Sequence, residues 1–364
     1  MKFRCERDLL VEALGSAGRA AAGRGTSLPV LSGVRVELSG NRLRLTGTDL
    51  ELTISVEIEV AGEQDGVTVL PGRLASDIVR ALPAGSVEVE VDAEQARISA
   101  GRSDFSLRVL PAEEFPQLQE PTGEPVTLAA AELATALSQV VRAASSDDAR
   151  PILTGVLLAA HDGGLRLVAT DSYRLAVRDL PGTSVLAEGQ QVLVPSRALQ
   201  ELSRLLSSDD TLTVRLGERD ASFTVGGTRL TTVLIEGEFP PYERLIPQAQ
   251  PNRLIVGREV LLEALRRVKL LAREATPVRL VMSADGLELV AVTQDVGQAH
   301  EALDAKHEGE SLTVAFNPDY LLQGVEVAPG DEVSIETIDA LKPAVLRVPD
   351  HPEFLYLLMP VRVS

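Results

Sequence analysis

The 364-residue sequence has one cysteine, no tryptophan, four tyrosines and seven phenylalanines, and only four of its 35 basic residues are lysines. A single cysteine, Cys5, leaves no disulfide framework and no cysteine zinc site, and fits a reducing compartment. No stretch approaches the roughly 18 apolar residues of a membrane helix. The start, Met1 to Asp8, lacks the apolar core of a signal peptide, so the expectation is a cytoplasmic protein without a membrane partner.

Catalytic and metal patterns are missing as well. His161, His300, His307 and His351 stand outside any metal-ligand spacing, and there is no Gly-x-Ser-x-Gly elbow. Gly18-(x4)-Gly23-Arg24 lacks the lysine and Ser/Thr of a phosphate loop and ends a helical pattern where such a loop would open one. Asp147-Asp148 and Asp209-Asp210 lie in serine-containing turn segments, the ordinary setting of solvated acids. The expectation is a protein that is not an enzyme, with no cofactor and no metal.

What is present is acid. With 53 Asp and Glu the net charge is −18, which taken whole argues against a nucleic-acid partner, because phosphate binding rests on Lys and Arg. A hydrophobic content of 45% excludes a disordered acidic chain.

The chain also repeats itself. Leu43-Arg44-Leu45-Thr46-Gly47-Thr48-Asp49 returns 122 residues later as Leu165-Arg166-Leu167-Val168-Ala169-Thr170-Asp171, and 122 residues after that, more diverged, as Leu287 to Thr293. Val69-Leu70-Pro71, Leu193-Val194-Pro195 and Ala315-Phe316-Asn317 recur in the same order, as do Glu114-Phe115-Pro116 and Glu238-Phe239-Pro240. Three domains follow, at 1–121, 122–247 and 248–364, with linkers at Gln117 to Pro125 and Pro247 to Asn252.

Apolar residues at helical spacing, such as Leu9, Leu10, Ala13, Leu14 and Ala17, or Leu74, Ile78, Val79 and Leu82, predict helices over 7–20 and 73–82. Period-2 runs such as Val34-x-Val36-x-Leu38 predict strands between them. Each unit reads helix, strands, helix, strands, an α+β class with helices on one face of antiparallel sheets. Six helical segments together carry about +4 and everything else −22, with 317–327 the acidic exception. A cationic face on an anionic body is what local potential needs to attract a phosphate backbone.

The start Met1-Lys2-Phe3, Leu45-Thr46-Gly47-Thr48-Asp49-Leu50-Glu51, Leu110-Pro111-(x3)-Phe115-Pro116, Ala169-Thr170-Asp171-x-x-Arg174-Leu175, Phe239-Pro240-x-Tyr242-x-Arg244 and Met359-Pro360-Val361-Arg362 resemble the bacterial sliding clamp family, the beta subunit of DNA polymerase III. The resemblance spans the chain. It implies three tandem clamp domains and a head-to-tail homodimer, a six-domain ring whose helices line a hole around double-stranded DNA without reading its sequence. It implies a DNA polymerase processivity factor, put on DNA by a clamp loader and tethering the replicative polymerase and other partners through a short linear motif. A paralogue serving repair or drug resistance, or an interaction scaffold that does not encircle DNA, would carry the same motifs.

By the same resemblance the motif pocket comprises Leu153, Thr170, Ser172, Tyr173, Arg174, Leu175, Pro240, Arg244, Leu245, Met359, Pro360, Val361 and Arg362. Leu, Pro, Met and Val would supply an apolar slot, and two arginines at its rim would meet polar or acidic motif atoms. The first repeat has Leu50-Glu51-Leu52 where the second has Ser172-Tyr173-Arg174. Tyr173 replaces a histidine common in the family. The subunit joint would use Phe105 and Leu107 against Leu270 and Leu271, and DNA would meet Arg24, Arg73, Arg80, Arg150, Arg197, Arg266 and Arg267. The loop 145–152 carries acids and an apolar pair where family members often touch DNA.

Overall fold

In the computed structural model the described residues are 1–23, 28–119, 122–207, 211–272 and 276–362. Arg24, Asp209, Asp210 and Arg273 lie outside them. Six α-helices occur among them: α1 Arg7–Gly18, α2 Gly72–Ala81, α3 Ala130–Val140, α4 Ser196–Leu205, α5 Arg258–Lys269 and α6 Pro318–Val327. A short strand precedes the first helix of each repeat, at Lys2–Glu6, Pro125–Ala129 and Asn252–Gly257, so the repeat order begins with a strand and not with a helix. These strands are five or six residues long and half of their side chains are polar or exposed, which hides their alternation in the sequence.

The chain packs as two compact units, one of residues 1–131 and 200–234, the other of 132–199 and 235–364. The second repeat is shared between them because sheets run on from one repeat to the next. In the first unit, strand Thr228–Val233 pairs antiparallel with Leu52–Glu59, Leu230 facing Ile54, and completes an eight-stranded sheet beside a five-stranded one. In the second unit, Arg174–Leu180 pairs with Phe354–Leu358, Val177 facing Leu355, within a nine-stranded sheet beside a four-stranded one.

The predicted alternation holds along the strands: Val34, Val36, Leu38, Leu43 and Leu45 are all buried. Helix α1 buries Leu10, Ala13, Leu14 and Ala17 and packs on α2. On α2 the buried positions are Gly72, Ala75, Ser76 and Val79; of the predicted face Val79 and Leu82 are buried, Ile78 is half-buried and Leu74 is exposed. Strand Arg42–Thr48 lies close against α1 at Gly47, where a Cβ would lie 2.0 Å from the Ala17 carbonyl oxygen.

Candidate functional site: the Thr170–Arg174 turn and the C-terminal tail

The turn between strands Gly164–Thr170 and Arg174–Leu180 is built by its own side chains. The Thr170 hydroxyl donates to the Arg174 carbonyl (2.7 Å), and Asp171 Oδ1 accepts from the Tyr173 and Arg174 amides (2.9 and 3.0 Å). This folds Ser172 into the left-handed region, φ 81°, and turns Ser172 and Tyr173 outward. Sheet register then brings the tail to the turn. Arg174 faces Leu358, and the Met359 amide donates to the Tyr173 carbonyl (2.8 Å). Val361 is fixed one step further by its amide on the Ala315 carbonyl (2.8 Å).

Beneath lies an apolar core containing Leu175, Leu357, Phe239 and Tyr242, with Ile152 packed against it. The Phe239 and Tyr242 rings meet edge to face at 6.2 Å. Burial pushes the Tyr242 hydroxyl up, partly offset by its hydrogen bond with Arg166, whose guanidinium grips Asp179 at 2.6 and 2.8 Å. Leu153 is buried, its amide donating to the Arg150 carbonyl (3.0 Å) and its carbonyl accepting from Ser145 (2.8 Å). The exposed members of the set are Ser172, Tyr173, Pro240, Arg244, Leu245, Met359 and Arg362, with Pro360 and Val361 half-buried.

Arg174 is not at a rim. It is 8% exposed, paired with Asp171 (3.0 Å), stacked over the Tyr320 ring at 4.3 Å, and donates to Tyr356 Oη (3.3 Å), to Gln323 and to the Arg142 carbonyl. The buried Tyr356 hydroxyl is pushed up to about 12. Arg174 therefore ties the turn to α6 and to strand Phe354–Leu358, and outward-facing positive charge is left to Arg244 and Arg362. Tyr320, Gln323 and Tyr356 were invisible to sequence reasoning, since they stand roughly 150 to 180 residues from Arg174 in the chain. Asp171 alone had a signal, its repetition as Asp49.

Three models of one family match the chain in order: DNA polymerase III beta subunit, N-terminal domain over residues 1–119, central domain over 127–241 and C-terminal domain over 243–362. The chain belongs to the DNA polymerase III beta subunit family. The "Beta sliding clamp" of Streptomyces coelicolor is 36% identical over 384 residues, covering 100% of both chains. The crystal structure of the DNA polymerase sliding clamp from Bacillus subtilis has a TM-score of 0.92 at 31% identity, again over 100% of both. The Pseudomonas aeruginosa DnaN sliding clamp bound to griselimycin has the same TM-score and identity over the same coverage.

In this beta-subunit chain the arginines expected to meet DNA are dispersed and mostly partnered. Arg150 sits at the turn just described, bound to Asp147 (2.9 Å) and donating to Ser172 Oγ (3.1 Å); this contact also holds the Asp147 carboxyl below its usual range. Arg80 lies 3.8 Å from Asp77, and Arg267 grips Glu301 at 2.6 and 2.9 Å. Arg73 is exposed and has no ion pair among the described residues. Arg197 lies on α4. Arg266 pairs with Glu326 of α6 (3.3 Å), which also takes Arg142 (2.7 Å), while Asp319 of α6 pairs with Lys269. The acidic helix thus answers basic residues within its own unit.

Of the residues assigned to the joint, Phe105 is 40% exposed on Ser103–Arg108, an edge strand of the five-stranded sheet. Leu107 on the same strand, facing Ala96, is 6% exposed and so is buried within its own chain. Leu270, beyond α5, is 73% exposed and Leu271 half-buried. Strand Gly297–Leu303 forms the free edge of the four-stranded sheet. No group of three or more His, Cys, Asp or Glu among the described residues could hold a metal, and no helix among them is long and apolar enough to cross a membrane.

Proposed function

We propose that this chain is a DNA polymerase processivity factor, a homodimeric clamp that encircles duplex DNA and holds the replicative polymerase to its template. The observation that carries the reading is the match of all three beta-subunit domain models, in order, along the whole chain. We place the domain boundaries near 121 and 247 and the protein in the cytoplasm. It performs no chemistry of its own; a clamp loader opens the ring and sets it on DNA.

Physically, a closed ring replaces affinity with topology. Exposed arginines such as Arg73 attract the phosphate backbone without sequence reading, and the acids beside Arg80, Arg266 and Arg267 keep that attraction shallow, so the ring is held but slides. An anionic exterior repels other DNA. Two copies close head to tail through their free edges, Ser103–Arg108 with Phe105 of one meeting the Leu270 and Leu271 end of the other, which removes exposed sheet edges.

Partners dock an extended motif at the Thr170–Arg174 turn and the tail. Leu245, Pro240, Met359, Pro360 and Val361 offer apolar surface over the buried Leu153 and Leu175, and Arg244 and Arg362 supply charge. Retention on closed circular DNA, lost when the circle is linearised, tests the topological mode; equal retention on both forms overturns it.

A further inference from the structure

The Thr170–Arg174 site has a structural copy in the first unit, and its side chains have been exchanged. The hydrogen bonds of the turn agree. Thr48 Oγ1 donates to the Leu52 carbonyl (3.1 Å), and Asp49 Oδ1 accepts from the Glu51 and Leu52 amides (3.1 and 2.8 Å). The Val233 amide donates to the Glu51 carbonyl (2.9 Å), as Met359 does to Tyr173. The Ala22 amide on Leu31 (2.8 Å) and Leu31 on Leu28 (3.0 Å) parallel Ser145 on Leu153 and Leu153 on Arg150, while Leu110 on Val69 (2.8 Å) stands one residue from the register of Ile235 on Leu193, whose counterpart in the repeat is Pro111. A small apolar core of Val30, Leu31, Val69 and Phe115 lies in the corresponding place.

Where the second unit puts Arg150, Ser172, Tyr173 and Met359, the first puts Leu28, Leu50, Glu51 and Val233. Leu28, Leu50 and Val233 are 45%, 51% and 49% exposed. Leu50 is the informative one. Its φ of 80° is a left-handed conformation that costs a non-glycine residue about 1–2 kcal/mol, and its exposed side chain regains nothing by burial. Asparagine or glycine would serve the turn better. A leucine held outward under strain points to something that covers it.

The surface around it is acidic. Glu51 takes the place of Tyr173, and Glu113 and Glu114 stand exposed on the turn before Phe115; none of the three has an ion pair among the described residues. At the other site exposed Glu236, Glu238 and Glu243 stand beside exposed Arg244 and Arg362, so both signs are present there.

We propose that Leu28, Leu50 and Val233 form a second peptide-docking site, which takes an extended partner segment whose apolar side chains are flanked by lysine or arginine. The inference rests on the docking mode proposed above for the Thr170–Arg174 site. Leu28 in the place of Arg150 and Glu51 in the place of Tyr173 bias this site toward basic segments, which lets the two sites prefer different partners.

The test is selection of a random heptapeptide display library on the full-length protein, followed by affinity measurement on variants. Leu50→Asn suits the left-handed turn while removing the apolar surface, and Val233→Asp is a surface change, so both fold; unchanged thermal unfolding checks this. The expected result is a group of clones rich in Leu, Ile or Phe beside Arg or Lys, losing at least tenfold in affinity with Leu50→Asn or Val233→Asp and none with Tyr173→Ala plus Met359→Ala. If no clone responds to Leu50→Asn or Val233→Asp, the site is refuted, and if either change converts dimer to monomer, the face is a subunit contact and the proposal fails. Clones sensitive to Tyr173 and Met359 report separately on the first site.

Discussion

Leu50 and Ser172 hold the same left-handed backbone, φ 80° and 81°, at positions 122 residues apart. In each case a threonine hydroxyl two residues before and an aspartate one residue before tie down the turn. The conformation is therefore imposed by the flanking Thr-Asp pair and not chosen by the residue that adopts it. Ser172→Gly is expected to stabilise the protein by about 1 kcal/mol, and Ser172→Val to destabilise it by about 1–2 kcal/mol, measured by denaturant unfolding.

Arg174 is the residue whose loss costs most at the site. Arg174→Ala strands Asp171 and the Tyr356 hydroxyl in a buried place and is expected to cost about 3–5 kcal/mol, with weaker motif binding because Tyr173 and Met359 lose their anchor. Arg174→Lys recovers little, since an ammonium cannot stack on Tyr320 and reach Gln323 and Arg142 together. Thermal unfolding and motif-peptide titration measure the two effects.

Glu326→Gln frees Arg142 and Arg266 together. These are exposed pairs, so stability should change by no more than about 0.5 kcal/mol. DNA association should strengthen and its salt dependence steepen by about one to two phosphate contacts. A salt titration of DNA binding by wild type and variant decides this, and parallel slopes would contradict it.

Cys5 is buried, and burial pushes its thiol from an ordinary 9.0 to about 12. Between these values the folded chain keeps a proton that the unfolded chain has lost, so its contribution to stability is complete below about 9 and falls as pH rises toward 12. Cys5→Ala should flatten that part of the stability profile. Iodoacetamide at pH 8 is expected to leave the native thiol unmodified and to alkylate it on unfolding.

Legibility differed with the range of the interaction. The strands around Val34 to Leu38 and Leu43 to Leu45, and helix α1, follow from periodicity, because one face of each is buried against whatever lies beneath it. The Thr170–Arg174 turn follows from local hydrogen bonds between residues at most four apart. The buried face of α2 followed only in part: Val79 and Leu82 are buried as their spacing predicts, but Leu74 is exposed and Ala75 is buried. The place of Arg174 did not follow; it looks from its sequence neighbours like a surface cation and is held by Gln323 and Tyr356.

By itself the sequence determined the threefold repeat near 122 residues, the family, the recurrence of the Thr-Asp pair and the excess of acid outside the helices, all properties of spacing and composition. Only the tertiary structure decided which repeat's sheet continues into which, that α6 neutralises Arg142, Arg266 and Lys269, and that Val233 is bonded to Glu51, the neighbour of Leu50. The physical reason is that a hydrogen bond within four residues is written in the local sequence. A charge pair or an apolar patch between distant segments exists only once sheet register has brought those segments together.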